Sequence, residues 1–226
     1  MKTLTRLAAA AFAGLALTTL FAAGAQAQEL TGTLKKIKDA GVIVLGHRES
    51  SVPYSYIAQG NEVVGYSHEF ALKIVEQVKK AINAPNLTVR LLPVNAQNRI
   101  TLMQNGTIDL ECGGTSNTAE RRRQVEFSNS LSITQARLLT RKDSGVKEWG
   151  DLANKTVVVT AGTTSERFLR DYLDKNKTPI TMVSAKDHAQ AFILQQSNRA
   201  AAFFMDSDVL AATMARAKDS ADYVIT

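Results

Sequence analysis

Short runs of consecutive apolar residues, each stopping at a glycine or a polar cluster, alternate along this chain with segments whose apolar residues recur every three or four positions. Val42-Ile43-Val44-Leu45 leads into Gly46-His47-Arg48-Glu49-Ser50-Ser51, and Thr156-Val157-Val158-Val159-Thr160 leads into Ala161-Gly162-Thr163-Thr164-Ser165-Glu166. A run that is apolar throughout suits a strand covered on both faces, and helices are what cover both faces of such a sheet. The alternation therefore predicts an α/β fold. Because the pattern occurs in two successive units, it further predicts two lobes with a cleft lined by strand ends and helix N-termini.

In chain order, a helix is expected near Leu34 to Lys38, ended by Gly41. Val52 to Tyr56 and Val63 to Tyr66 read as short extended pieces flanking the turn Gln59-Gly60-Asn61. The next helix places Phe70, Ala71, Ile74, Val75, Val78 and Ile82 on one face. Leu87 to Leu92 alternates as a strand that Pro93 breaks, and Asn95 opens a helix closing at Asn105-Gly106. Ile108 to Cys112 reads as the end of a strand, and Ser132 to Thr140 as a long extended segment that could join two lobes. Beyond Thr164 a helix is expected to bury Phe168, Leu169, Tyr172 and Leu173, and further strands are expected at Ile180 to Val183 and Ala200 to Phe204.

The densest chemistry lies in Gly113-Gly114-Thr115-Ser116-Asn117-Thr118-Ala119-Glu120-Arg121. Adjacent glycines allow close backbone approach, the hydroxyl run can face an anion, and Arg121 offers a planar fork to a carboxylate. On its own this is also an ordinary helix start with a surface arginine. The other strand ends carry Arg48, Thr164, His188 and Asp206, so the group as a whole suits a small ligand with more than one negative charge and one positive charge. An acidic amino acid has that charge pattern.

Lys2 and Arg6 precede an apolar run from Leu7 to Ala23, and Ala25-Gln26-Ala27 is a small-x-small cleavage pattern. Residues 1–27 are thus expected to be a cleavable export signal. Removing those two cations takes the formal charge from +6 to +4, a mild excess without the basic stripe that nucleic-acid binding needs. Cys112 is the single cysteine, which excludes an internal disulfide and a multi-cysteine metal site. It reads either as a buried thiol or as one half of a pair whose partner lies beyond Thr226. His47, His68 and His188 belong to no shared catalytic or metal-binding motif, so neither metal nor cofactor is expected.

From the first helix to the end, the chain resembles the bacterial periplasmic solute-binding proteins of the polar amino acid class, and within them the glutamate/aspartate-binding members that serve ABC importers. The resemblance rests on Gly41 to Val44 followed by Gly46 to Pro53, on Gln97-Asn98-Arg99-Ile100, Gln104-Asn105-Gly106 and Glu111-Cys112-Gly113, and on Gly162 to Glu166 and Ser184 to His188, in that order and spacing. It implies a periplasmic, monomeric binding protein with lobe 1 over residues 28–113, and a hinge crossover with lobe 2 over residues 114–226. The lobes would close over L-glutamate or L-aspartate by hinge motion and present it to a membrane-embedded permease. By the same resemblance Arg121 would clamp the α-carboxylate with Gly114, Thr115, Ser116 and Thr164. Arg48 and Arg99 would hold the side-chain carboxylate, His188 would add a hydrogen bond, and Asp206 would receive the α-ammonium. Alternatives on the same scaffold are an exported enzyme resembling cyclohexadienyl dehydratase and a ligand-sensing domain.

The chain departs from this family at Ala96 and Gly114, where close relatives carry hydroxyls, which implies altered affinity or an altered glutamate/aspartate preference. Ser67, after Tyr66, stands where the broad class expects an acid. Family members also continue past the strand at Tyr223 to Thr226, with a second cysteine in the continuation. The resemblance therefore implies a C-terminally truncated chain whose first lobe exposes apolar surface.

Overall fold

A computed structural model describes residues 29–226, and the export signal expected over residues 1–27 lies outside the described residues. The first part of the chain runs α1 (Gly32–Ala40), β1 (Val42–His47), β2 (Ser50–Ser51), β3 (Ser55–Ile57), β4 (Val63–Val64), α2 (Tyr66–Ala81), β5 (Thr88–Pro93), α3 (Arg99–Gln104) and β6 (Leu110–Glu111). β1 is the middle strand of a parallel sheet, between β5 and β6. Its continuous apolar run serves both faces. Ile43 and Leu45 pack with Ile37, Ala71 and Val75 from α1 and α2, while Val44 packs on the other side with Val94 and Ile108. β2, β3 and β4 form a small antiparallel sheet of their own.

The second part contains β7 (Ala136–Arg141), β8 (Thr156–Thr160), α4 (Thr164–Asn176), β9 (Thr181–Ala185), α5 (His188–Gln196), β10 (Ala202–Asp206), α6 (Ser207–Ala215) and β11 (Tyr223–Ile225). Its five-stranded sheet has the order β11-β7-β10-β8-β9, with β8, β9 and β10 parallel and β7 and β11 antiparallel to their neighbours. Alternate residues again feed two cores. Val158, Phe203 and Met205 meet Ala191, Val209 and Leu210 of α5 and α6, whereas Val157, Val159 and Phe204 meet Leu169 of α4 and Leu152 of the 3-10 turn Trp149–Leu152. The fold is α/β and two-lobed, each lobe having its own sheet.

Several local expectations change. β5 ends at Pro93 and includes it, because parallel pairing runs to His47 opposite Pro93. Helix α3 begins at Arg99 and not at Asn95. The Asn95 side chain accepts from the backbone N–H groups of Gln97 and Asn98, and the Asn98 side chain accepts from Asn95 N–H, so a side-chain-bonded turn displaces the first helical turn. Strand pairing after Ser132 starts only at Ala136. Phe70 is 40% exposed because its face of α2 borders an open concavity, and Phe168 is 55% exposed because it sits outermost on an aromatic group with Trp149 and Phe204. Cys112 is only partly buried at the margin of the first core, where desolvation pushes its thiol up to about 12.

Candidate functional site

The polar ends of β1, β8 and β10 and the start of α3 converge between the two sheets. Arg48 follows β1 directly and is 2% exposed, its backbone N–H donating to Ser55 Oγ at 3.0 Å. Arg99, the first residue of α3, is 3% exposed, and its Nε and Nη1 have no partner among the described residues. Buried guanidinium nitrogens are ordinarily hydrogen-bonded, so these two donors are available to an acceptor in the adjoining concavity. Burial lowers its pKa to about 10, with neighbouring Arg48 adding to the fall and Glu111 opposing it.

Residues Gly113 to Thr118 form an irregular loop running into a short 3-10 helix, Arg121–Arg123. Arg121 spans this region, Nη1 donating to Ser116 O at 3.0 Å and Nη2 to Gly162 O at 3.1 Å. Burial, then Arg99 and Arg167, bring its pKa down to about 10. Ser116 Oγ lies 3.4 Å from Thr164 Oγ1 at the start of α4. Thr163, and not Thr164, caps that helix, accepting from Glu166 N–H at 3.2 Å, and this leaves Thr164 facing Ser116.

His188 opens α5 and is buried, with Nδ1 at 2.8 Å from Thr160 Oγ1. Burial holds its pKa well below the usual histidine range, helped by Arg48 and Arg99, so the ring is neutral. Asp206 ends β10. Desolvation, reinforced by Asp208, pushes its carboxyl up to about 6 against the pull of Arg99 and Arg121.

The two lobes also touch through residues outside their sheets. The Tyr54 hydroxyl, from the segment between β2 and β3, donates to the Asp208 carboxylate at the start of α6. Across the other contact a Cβ on Gly162 would stand 2.7 Å from the carbonyl of Ala96 and from Gln97 N, and Gly162 has φ of +78°. Only glycine fits there. A concavity of about 910 Å³ includes Arg99, Glu111, Thr115, Ser116 and Asp206 and opens onto the exposed apolar side chains of Tyr66, Phe70, Leu131 and Ile133. A smaller one, about 190 Å³, lies beside Arg48 and Asn98 on one side and Lys186 and Asp187 on the other.

The structure thus brings Arg99, Gly114, Thr115, Ser116 and Asp206 to one concavity, joins Arg121 and Thr164 to it through Ser116, and sets Arg48 and His188 behind it. Glu111 and Tyr54 also belong to the region and were not singled out from sequence. A lone acid at a strand end and a tyrosine beside a proline carry no motif, and only the strand-end rule pointed towards Glu111. Among the described residues no group of three or more His, Cys, Asp or Glu side chains could hold a metal ion, and no helix is long and apolar enough to cross a membrane.

The family described as bacterial extracellular solute-binding proteins, family 3, matches residues 43–219. The chain is 48% identical over 207 residues to a Pseudomonas aeruginosa L-glutamate/L-aspartate-binding protein, covering 91% of this chain and 68% of that one. It is 50% identical over 186 residues to an Escherichia coli K12 glutamate/aspartate import solute-binding protein, covering 82% of this chain and 62% of that one. Among solved structures, the arginine-bound form of a truncated ArgBP from T. maritima is 25% identical, with a TM-score of 0.73 and 84% of each chain covered. The chain therefore spans roughly two thirds of the length of the two curated relatives. Both are named for binding a solute, which counts against the exported enzyme.

Proposed function

Because the chain belongs to family 3 of the bacterial extracellular solute-binding proteins, we propose that it captures L-glutamate or L-aspartate between its lobes and delivers it to a membrane-embedded ABC importer. The observation that carries the reading is Arg99, buried beside Arg48 and Arg121 with two guanidinium nitrogens unpartnered. A second carboxylate on the ligand supplies acceptors for those donors, and a carboxamide does not match their charge.

In this reading the α-carboxylate lies against Arg121, Gly114, Thr115, Ser116 and Thr164, and the side-chain carboxylate lies against Arg48 and Arg99. His188 is neutral with Nδ1 engaged by Thr160, which leaves Nε2 for one further hydrogen bond. Asp206 takes the α-ammonium. Residues 28–113 and 114–226 are the two lobes, an assignment supported by the first parallel sheet ending at Glu111 and the second sheet beginning at Ala136. The protein works as a monomer in the periplasm, exported by a signal cleaved after Ala27, and closes on ligand about a hinge near residues 112–114.

Isothermal titration of the chain from Gln28 onward with L-glutamate, L-aspartate and L-glutamine tests the reading. Binding of both acids with rejection of the amide, and loss of acid binding in Arg99→Ala, are expected. Equal binding of glutamine and glutamate overturns it.

A further inference from the structure

Glu111 has no part in the ligand roles above, and it is a carboxylate that acts on all three arginines, whereas Asp187 acts on Arg48 and Glu120 on Arg121. It ends β6, pairing in register with Gly46 of β1, two residues before Arg48. Its Oε2 accepts from Thr115 Oγ1 at 2.7 Å, while Oε1 is buried without a partner. A Cβ added to Gly113 would collide with Glu111 Oε1 and stand 3.2 Å from Arg48 Cγ, so the carboxylate and the Arg48 stem flank the same α-carbon. Glu111 lines the concavity with Arg99, Thr115, Ser116 and Asp206. No arginine approaches it closely enough to form an ion pair among the described residues, so its charge acts on the whole cluster and is not cancelled by one partner. Arg48, Arg99 and Arg121 all feel it.

We infer that Glu111 is a specificity-determining residue, whose carboxylate trims the positive charge of the arginine cluster so that the cleft admits a dicarboxylate bearing an ammonium group and discriminates against one without it. The inference rests on the functional reading above. Three guanidinium groups alone would attract any dicarboxylate. The carboxylates of Glu111 and Asp206 offset two of the three guanidinium charges, and Asp187 acts on Arg48 from the smaller cavity, so a zwitterionic acidic amino acid, net −1, suits the cluster better than a plain dicarboxylate, net −2. The ammonium is the one ligand group that Glu111 attracts. Removing the charge of Glu111 therefore favours the dicarboxylate lacking it.

The test compares glutamate with glutarate, the same skeleton without the ammonium, on wild type, Glu111→Gln and Glu111→Asp by titration calorimetry, with circular dichroism melts on each. Glu111→Gln should raise the affinity for glutarate relative to glutamate by about tenfold or more, and Glu111→Asp should keep the wild-type ratio. If the glutamine variant does not fold, Glu111→Ser, equally uncharged and smaller, carries the same expectation. A folded uncharged variant with an unchanged ratio, including one that binds both ligands equally more weakly, overturns the inference and assigns Glu111 a merely structural role. Failure of wild type to bind glutamate overturns the functional reading, and the inference falls with it.

Discussion

The Tyr54 hydroxyl donates to the Asp208 carboxylate across the two sheets, and the same carboxylate accepts from Thr134 Oγ1 at 3.1 Å. Tyr54 also packs with Leu139 and Val209 of the second lobe. A hydrogen bond to a charged acceptor typically contributes about 1.5–3 kcal/mol, more than a neutral one. Tyr54→Phe keeps the packing and removes only the hydroxyl. It should weaken glutamate binding about tenfold while leaving the circular dichroism spectrum unchanged, as read by calorimetry; equal affinity in the variant would show that this contact does not hold the closed form.

The carboxyl of Asp206, raised to about 6, sets a pH window. If the ligand ammonium pairs with Asp206 as proposed, it pairs with the ionised form, so glutamate affinity should hold above pH 7 and fall as pH drops through about 6. The ligand's own side-chain carboxyl, near 4.3 in water, titrates well below that range. Stability runs the other way. The folded state binds this proton more tightly than the unfolded chain does, so the unliganded protein should gain stability as pH falls from about 6 towards the ordinary aspartate range. In Asp206→Asn both trends near pH 6 should flatten, as measured by titrations and melts from pH 5 to 8.

Gly162 meets the Ala96 backbone with no room for a side chain. Gly162→Ala adds a Cβ at 2.7 Å from main-chain atoms that cannot rotate away, at φ of +78°. Closure should be blocked, with glutamate affinity reduced by at least about tenfold. Small-angle scattering with saturating ligand should report a larger radius of gyration than wild type.

Gly114 lies under the ring of Tyr54, where an added Cβ would be 3.1 Å from Cδ2 and 3.2 Å from Cε2. Gly114→Ser introduces the hydroxyl that the resemblance implies at this position but presses on a ring anchored by Asp208. Its melting temperature should fall by a few degrees, corresponding to roughly 1 kcal/mol of overpacking. In Tyr54→Leu, which removes the ring, the same serine should cost less; equal losses in both backgrounds would show that the ring is not what excludes a side chain at 114.

The frame of the molecule was legible where a strand is buried on both faces. Val42 to Leu45 and Val157 to Val159 announced themselves because helices cover both sides of the sheet and both faces of the strand must be apolar. The same logic reached Arg48 and Asp206, since each directly follows or ends such a strand. Arg99 was harder, because an arginine at a helix start ordinarily lies in water, and only the asparagine-bonded turn before it aims it inward. Phe70 and Phe168 share helical spacing with buried neighbours, and spacing cannot tell a core from a face that borders an opening. Glu111 carried no role in the sequence for a different reason: its meaning comes from three arginines contributed by separate stretches of the chain.

The meeting of Ala96 with Gly162 is main chain against main chain. Side chains at such a stop could change rotamer and let the lobes settle nearer to a smaller guest, but peptide groups in van der Waals contact cannot. The approach of the two lobes on that side is therefore set by the backbone itself and does not adjust to the size of what lies between them.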